Sequence, residues 1–156
     1  MLKNMDLIKN IIFDLGGVIL DIDLLKGITA MKQLGIGDFE NINSKYNQTD
    51  AFLDFEKGLI SETEFLEKLK KDWEVDFFNE DFITAWNEII VGLRKERIDL
   101  INKLNNSDRF RTFLLSNTNA LHKKVYTKIL QEQFSIPGLE DLFEKAYFSH
   151  EIYMRK

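Results

Sequence analysis

Apolar residues in this chain occur in two patterns: short unbroken runs, and longer stretches at helical spacing. The first run lies in residues 7–13, where Ile11, Ile12 and Phe13 stop abruptly at Asp14-Leu15-Gly16-Gly17. A second, FRTFLL over residues 110–115, stops at Ser116-Asn117-Thr118-Asn119, and a third, KAYF over 145–148, stops at Ser149-His150-Glu151. Short apolar runs bounded by glycines or polar residues predict buried parallel strands. The second should lie beside the first. Ligands of open α/β sheets bind beyond the carboxyl ends of such strands, so the polar stops are where chemistry is expected.

Between the first two strands the spacing is helical, with no convincing strand. Leu24, Ile28, Met31 and Leu34 share a face, and Gly35 stands where a C-terminal cap belongs. Phe52, Leu53 and Phe55 form a short helix that Gly58 ends. Ser61-Glu62-Thr63-Glu64 has the form of a capping box. It opens a helix with Phe65, Leu66, Leu69 and Trp73 on one face, and Phe82, Ile83, Trp86, Ile89 and Ile90 repeat the pattern. Residues 96–105 and about 120–131 supply two further helices. The predicted class is α/β, with a Rossmann-like parallel sheet formed by 1–23 and 95–156 and a helical insert over 24–94. There is no internal repeat.

Composition narrows the function classes. The 156 residues carry 21 Lys and Arg against 26 Asp and Glu, for a net charge of −5. That balance argues against nucleic acid as the main partner, because phosphate-backbone binders present a basic face. The absence of cysteine excludes disulfides, thiolate metal sites and a cysteine nucleophile. Thirteen Phe, four Tyr and two Trp supply ample apolar area for a core. No run is long enough for a membrane span, and Lys9, Asn10 and Asp14 interrupt any secretory h-region. A cytoplasmic location is expected.

Asp14 places a carboxylate at a strand end beside the backbone N–H groups of Leu15, Gly16 and Gly17, which can turn tightly around an anion. A carboxylate would repel a phosphate there unless a cation joined them. Mg2+, which takes oxygen ligands from one or two carboxylates and a phosphate, resolves the conflict. Asp14 then suits a nucleophile that forms an aspartyl-phosphate. Ser116 and the following N–H of Asn117 can hold phosphate oxygens, and Lys156 can supply positive charge to the transition state. Spacing alone leaves plainer roles open: Asp14 as a turn cap, Ser116-Asn117 as a helix cap, Lys156 as a solvated side chain. Asp21 and Asp23 can either approach the site or cap the first helix of the insert. Capping is the better fit. His122 and His150 lack the paired spacing of a metal site.

Taken in order, IIFDLGGVILDID (residues 11–23), FLLSNTN (113–119) and MRK (154–156) resemble the first three motifs of the haloacid dehalogenase superfamily. They are most similar to its sugar-phosphatase-like branch with a helical cap, and GLISETEF (58–65) resembles that cap. The resemblance spans essentially the whole chain. It implies a phosphatase of small phosphorylated metabolites in which Asp14 is nucleophile and magnesium ligand and the Gly16 carbonyl is a second ligand. Ser116 and Asn117 would bind the phosphoryl group, Lys156 would stabilise it, and residues 24–94 would be the cap.

Two departures qualify the resemblance. Many phosphatases of the superfamily carry a general acid two positions after the nucleophile; here that position is Gly16. Such help is worth about 10²–10⁴-fold, so poor leaving groups should react slowly. The gap also keeps a 2-haloacid dehalogenase using the same Asp14 as an alternative. The second departure is that the motif bearing the acidic pair that completes the magnesium site does not follow Lys156. On that ground the sheet core is expected to be incomplete at its C-terminal side, magnesium to bind weakly and turnover to be poor. Self-association through a bared edge of the first strand is also expected. An inactive fragment that binds phosphate or a protein is the alternative from another class.

Overall fold

The computed structural model describes residues 7–36 and 50–156. Residues 1–6 and 37–49, which belong to the predicted core and insert respectively, lie outside the described residues. Three strands form a parallel sheet: β1 (Asn10–Phe13), β4 (Arg111–Ser116) and β5 (Lys145–Phe148), in the order β1-β4-β5. Phe13 stands opposite Leu114 and Ser116 opposite Phe148, so all three chains leave the sheet at the same end. The predicted neighbourhood of the first two strands is therefore observed.

The sheet is covered mainly on one face. Along β4, Thr112, Leu114 and Ser116 are buried while Phe113 and Leu115 are only partly so. On the covered side, Leu114 and Phe148 pack with Ile98 and Ile101 of α5 (Lys95–Asn105) and Tyr126 and Leu130 of α6 (Ala120–Phe134). The buried Thr112 hydroxyl donates to Asn105 Oδ1 (2.5 Å), and Asn105 Nδ2 donates to the Leu142 carbonyl (2.8 Å), so no strand polarity is stranded there. The expectation that the first strand is buried is corrected: β1 begins at Asn10 and lies at the sheet edge, with Ile12 65% exposed. An apolar run signals burial on average, not at an edge with one open face.

A second correction concerns the stretch between the first two predicted strands, where no convincing strand was expected. β2 (Leu20–Ile22) and β3 (Ile90–Leu93) pair antiparallel, with a register shift at Asp21/Ile22. Both are too short to show period-2 alternation. Ile89 and Ile90, assigned by periodicity to a helix, lie beyond the end of that helix, and Ile90 opens β3. This small ribbon stands where the chain enters and leaves the helices between β2 and β3.

Those helices are α1 (Leu24–Gln33), α2 (Asp50–Glu56), α3 (Glu62–Trp73) and α4 (Asn79–Asn87). Asp23 caps α1 by accepting from the N–H groups of Leu25 (3.0 Å) and Lys26 (3.3 Å). The capping box of α3 is present, with Ser61 Oγ accepting from Glu64 N–H and Glu64 Oε2 accepting from Ser61 N–H (2.8 Å). Gly35 and Gly58 follow α1 and α2 with φ of +83° and +67°, as the cap readings required. Phe52, Phe55, Phe65, Trp73 and Phe82 form an aromatic cluster, with Phe55 stacked on Phe65 at 4.4 Å between centroids. It is separate from the cluster beneath the sheet, although Leu121 of α6 contributes to it.

Besides Leu121, two ion pairs and a backbone contact among the described residues hold α2 and α3 against the sheet-bearing part. Glu62 pairs with Lys124 (2.7 Å), Glu56 pairs with Arg155 (2.7 Å), and Gly58 lies against the backbone of His150 in α7 (Ser149–Ile152). A Cβ on Gly58 would stand 2.1 Å from the His150 carbonyl oxygen, and φ there is positive. Gly58→Ala is therefore expected to destabilise the protein by about 2 kcal/mol or more, read as a lowered urea midpoint.

Candidate functional site

Asp14 follows β1 directly, and its side chain is 46% exposed. Its Oδ1 accepts from the Leu15 N–H (2.7 Å) and meets Lys156 Nζ at 2.5 Å. Its Oδ2 has no partner among the described residues. The loop that follows is wound on itself: the Leu15 carbonyl accepts from Val18 (3.2 Å), Ile19 (2.9 Å) and Leu20 (2.9 Å), and Gly17 N–H donates to the Leu20 carbonyl (2.8 Å). Leu15 is buried as the anchor of this turn, and Gly17 supplies its positive φ of +73°. Of the three N–H groups expected to face an anion, those of Leu15 and Gly17 are thus engaged within the loop. That leaves Gly16, whose N–H and carbonyl carry no backbone bond among the described residues. A Cβ on Gly16 would meet only Ile22 Cδ1, at 3.7 Å.

Ser116 ends β4 one step beyond the level of Asp14, and it is buried. Its hydroxyl makes one long bond, to the Asn117 carbonyl (3.3 Å). The helix cap that spacing offered to Ser116-Asn117 belongs instead to Asn119, whose Oδ1 accepts from the His122 N–H (2.9 Å). Asn117 is left free to hold Lys156, whose backbone N–H donates to Asn117 Oδ1 (3.0 Å). Lys156 Nζ also donates to the Leu115 carbonyl (3.3 Å), so this lysine spans the ends of β1 and β4 and is not simply solvated. The structure brings Asp14, Asn117 and Lys156 into one connected group. Asp21 has no part in it: its carboxylate is held by Arg94 (2.5 Å) and Arg97 (2.7 Å), and hydrogen bonding to Arg94 keeps it below the usual carboxylate range.

Sequence reasoning missed Ser149. It is buried at the end of β5, where its hydroxyl donates to the Thr118 carbonyl (2.8 Å) and accepts from the Thr118 N–H (3.0 Å). That reciprocal pair ties the loop after β4 to the loop after β5. The signal was available, since Ser149 stops its apolar run as Ser116 stops the run before.

A cavity of about 280 Å³ adjoins this group, with Asn117, Thr118 and Asn119 on one wall and Phe52, Glu56 and Trp86 among the residues of another. Burial pushes the Glu56 carboxyl up despite Arg155 beside it. The His122 ring also lines the cavity and packs on Trp86, 4.8 Å between centroids, and burial pushes its pKa down to about 4. Among the described residues no group of three or more His, Asp or Glu side chains gathers as a metal cluster, and no helix is long and apolar enough to cross a membrane.

No family model matches the chain. It is 34% identical over 148 residues to a D-ribitol-5-phosphate phosphatase of Bacteroides thetaiotaomicron, covering 94% of this chain and 69% of that one. A crystal structure of a HAD family enzyme from the same organism superposes with a TM-score of 0.83 at 33% identity, covering 96% of this chain and 72% of that one. A further structure of that enzyme, a complex with magnesium and inorganic phosphate, gives 0.76 at 34% identity, with the same coverage. A HAD-like hydrolase from Porphyromonas gingivalis gives 0.80 at 30% identity, covering 96% and 70%.

Two outcomes follow from the geometry. Ser149→Ala strips both partners from a buried peptide group, so stability should fall by about 1–3 kcal/mol and the Thr118 amide should exchange faster with solvent. The depressed pKa of His122 means that the unfolded chain takes up the proton first. Stability from this group is complete above the unfolded value near 6.5 and falls as pH drops towards 4. His150, which burial also pushes down, acts in the same direction. In urea titrations across that range, His122→Phe should flatten part of the slope.

Proposed function

The chain belongs to the haloacid dehalogenase (HAD) family of enzymes, and from that premise we propose that it is a magnesium-dependent phosphatase of small phosphomonoesters such as sugar phosphates. The observation that carries this reading is the asymmetric Asp14 carboxylate: Oδ1 is held by Lys156 and the Leu15 N–H, and Oδ2 has no partner among the described residues. The donors present suit magnesium: Asp14 Oδ2 and the Gly16 carbonyl are both hard oxygen ligands, and phosphate and water would complete its shell. With only these two protein groups among the described residues, the ion would bind weakly, in line with the expectation from the sequence. Bound there, the ion would screen the phosphate's charge and polarise its oxygens.

Asp14 attacks phosphorus in line; the P–O bond to the alcohol breaks and the alkoxide leaves. Gly16 has no side chain to protonate it, so that proton comes from water. Ser116 and the Asn117 N–H hold the transferring phosphoryl oxygens, aided by the Gly16 N–H. The Lys156 ammonium, which donates to the Leu115 carbonyl while Asn117 Oδ1 holds the Lys156 backbone N–H, offsets the charge gathered on nucleophile and phosphate. Water then attacks the aspartyl-phosphate, breaking the bond to Asp14 and releasing inorganic phosphate. Residues 24–94 act as a cap that shields the site, over a core formed by 1–23 and 95–156. A 2-haloacid dehalogenase is disfavoured by the name and 34% identity of the phosphatase relative.

Phosphate release from a sugar phosphate should need magnesium, stop on chelation and return when the ion is restored. Asp14→Asn should lower it by at least about a thousandfold, while the half-exposed, near-isosteric side chain keeps the unfolding free energy from urea titration within about 1 kcal/mol. Full activity in Asp14→Asn would reject the mechanism.

A further inference from the structure

Glu56 closes α2 and belongs to the insert, yet its charge partner is the residue before Lys156. Burial pushes its carboxyl up, and Oε2 is shut off from solvent with no aligned hydrogen bond among the described residues. The Arg155 guanidinium, with Nε 2.7 Å from Oε2, compensates the charge there. The segment that carries Arg155 has little else to fix it. Helix α7 ends at Ile152, Tyr153 turns the chain with a φ of +57°, and residues 153–156 are exposed and outside any helix or strand. The Met154 N–H donates to the Ser149 carbonyl (3.2 Å), and the Lys156 N–H donates to Asn117 Oδ1 (3.0 Å). Between those two bonds the Arg155 side chain reaches α2. Beyond them, Lys156 Nζ meets Asp14 Oδ1 (2.5 Å) and the Leu115 carbonyl (3.3 Å).

Resting on the phosphatase reading, we propose that Glu56 is a positioning residue of the reaction: through Arg155 it sets the path of residues 154–156, and so the place of the Lys156 ammonium against Asp14. An ion pair of this kind adds little stability over apolar side chains of the same size, and its use is to select one arrangement of the chain. Here the arrangement selected is the one the reaction needs. The Lys156 ammonium must face the nucleophile and the phosphate without first reorganising. A lysine is a point charge on a flexible stem with much rotamer freedom, so it aims only as well as the backbone beneath it is fixed. Asn117 fixes that backbone from the sheet side, and Glu56 fixes it from the insert side.

Two readouts on the whole chain test this. The first is solvent exchange of the Lys156 amide, followed by NMR without magnesium or substrate. Glu56→Gln should speed it at least about fivefold, while the Thr118 amide, which Ser149 holds, exchanges as before. The reversed pair, Glu56→Arg with Arg155→Glu, should recover much of the lost protection. The second readout is magnesium-dependent phosphate release from a sugar phosphate. Misplacing the lysine should lower kcat about ten- to a hundredfold in Glu56→Gln, with KM within about threefold. In a Lys156→Met background Glu56→Gln should change nothing further, because its effect passes through the lysine. Unchanged exchange at Lys156, equal acceleration at Thr118, or an undiminished effect on kcat in Lys156→Met overturns the positioning role and leaves the phosphatase reading in place. If the unsubstituted chain releases no phosphate, the phosphatase reading falls and the role of Glu56 in the reaction falls with it, whichever way the exchange turns out.

Discussion

Everything at the site depends on the parallel register of β1, β4 and β5. Because Phe13 is level with Leu114, and Ser116 with Phe148, the residues that follow each strand emerge together at one end of the sheet. Asp14, Ser116 and Ser149 are far apart in sequence and become neighbours only through that alignment. A one-residue slip of β1 would turn Asp14 to the other side of the sheet and break its contact with Lys156. Side-chain bonds then lock the loops to each other. Ser149 ties the loop after β4 to that after β5, and Lys156 ties the latter back to β1 through Asp14 and to β4 through Leu115 and Asn117.

The same short segment, 149–156, also receives the helices between β2 and β3. His150 meets Gly58 backbone to backbone, and Arg155 pairs with Glu56 immediately before Lys156 reaches Asp14. Adjacent residues thus face in two directions, one towards the helices and one towards the strand ends. Through the Glu56–Arg155 pair and the Gly58–His150 contact, α2 and the turn after it rest on the segment that carries Lys156. The Glu62–Lys124 pair, more exposed to water, adds orientation more than stability.

How much of this could be read from the sequence depended on the length and locality of each signal. The strands around Asp14, Ser116 and Phe148 were legible because an apolar run ended at a polar stop. Helix ends were legible where capping chemistry is local, as at Asp23, Ser61 and Gly58. The β2–β3 ribbon was not, since Leu20–Ile22 and Ile90–Leu93 gain their pairing only from each other, across the whole set of helices. Asp14 and Lys156 could be placed at the site by motif resemblance. Their contact, and the engagement of the Leu15 and Gly17 N–H groups inside the loop, required the fold. Glu56, His122 and Arg155 were unremarkable as sequence: a charge on a helix, a histidine without a spaced partner, a basic residue before a lysine.

In the proposed reaction the glycine at position 16 leaves no side chain to protonate the departing alkoxide, so rate there depends on how well the ester is placed and how well its charge is balanced. On that proposal the Lys156 ammonium, which meets Asp14 and the Leu115 carbonyl and whose backbone Asn117 holds, carries charge balance that an acid at position 16 would otherwise share.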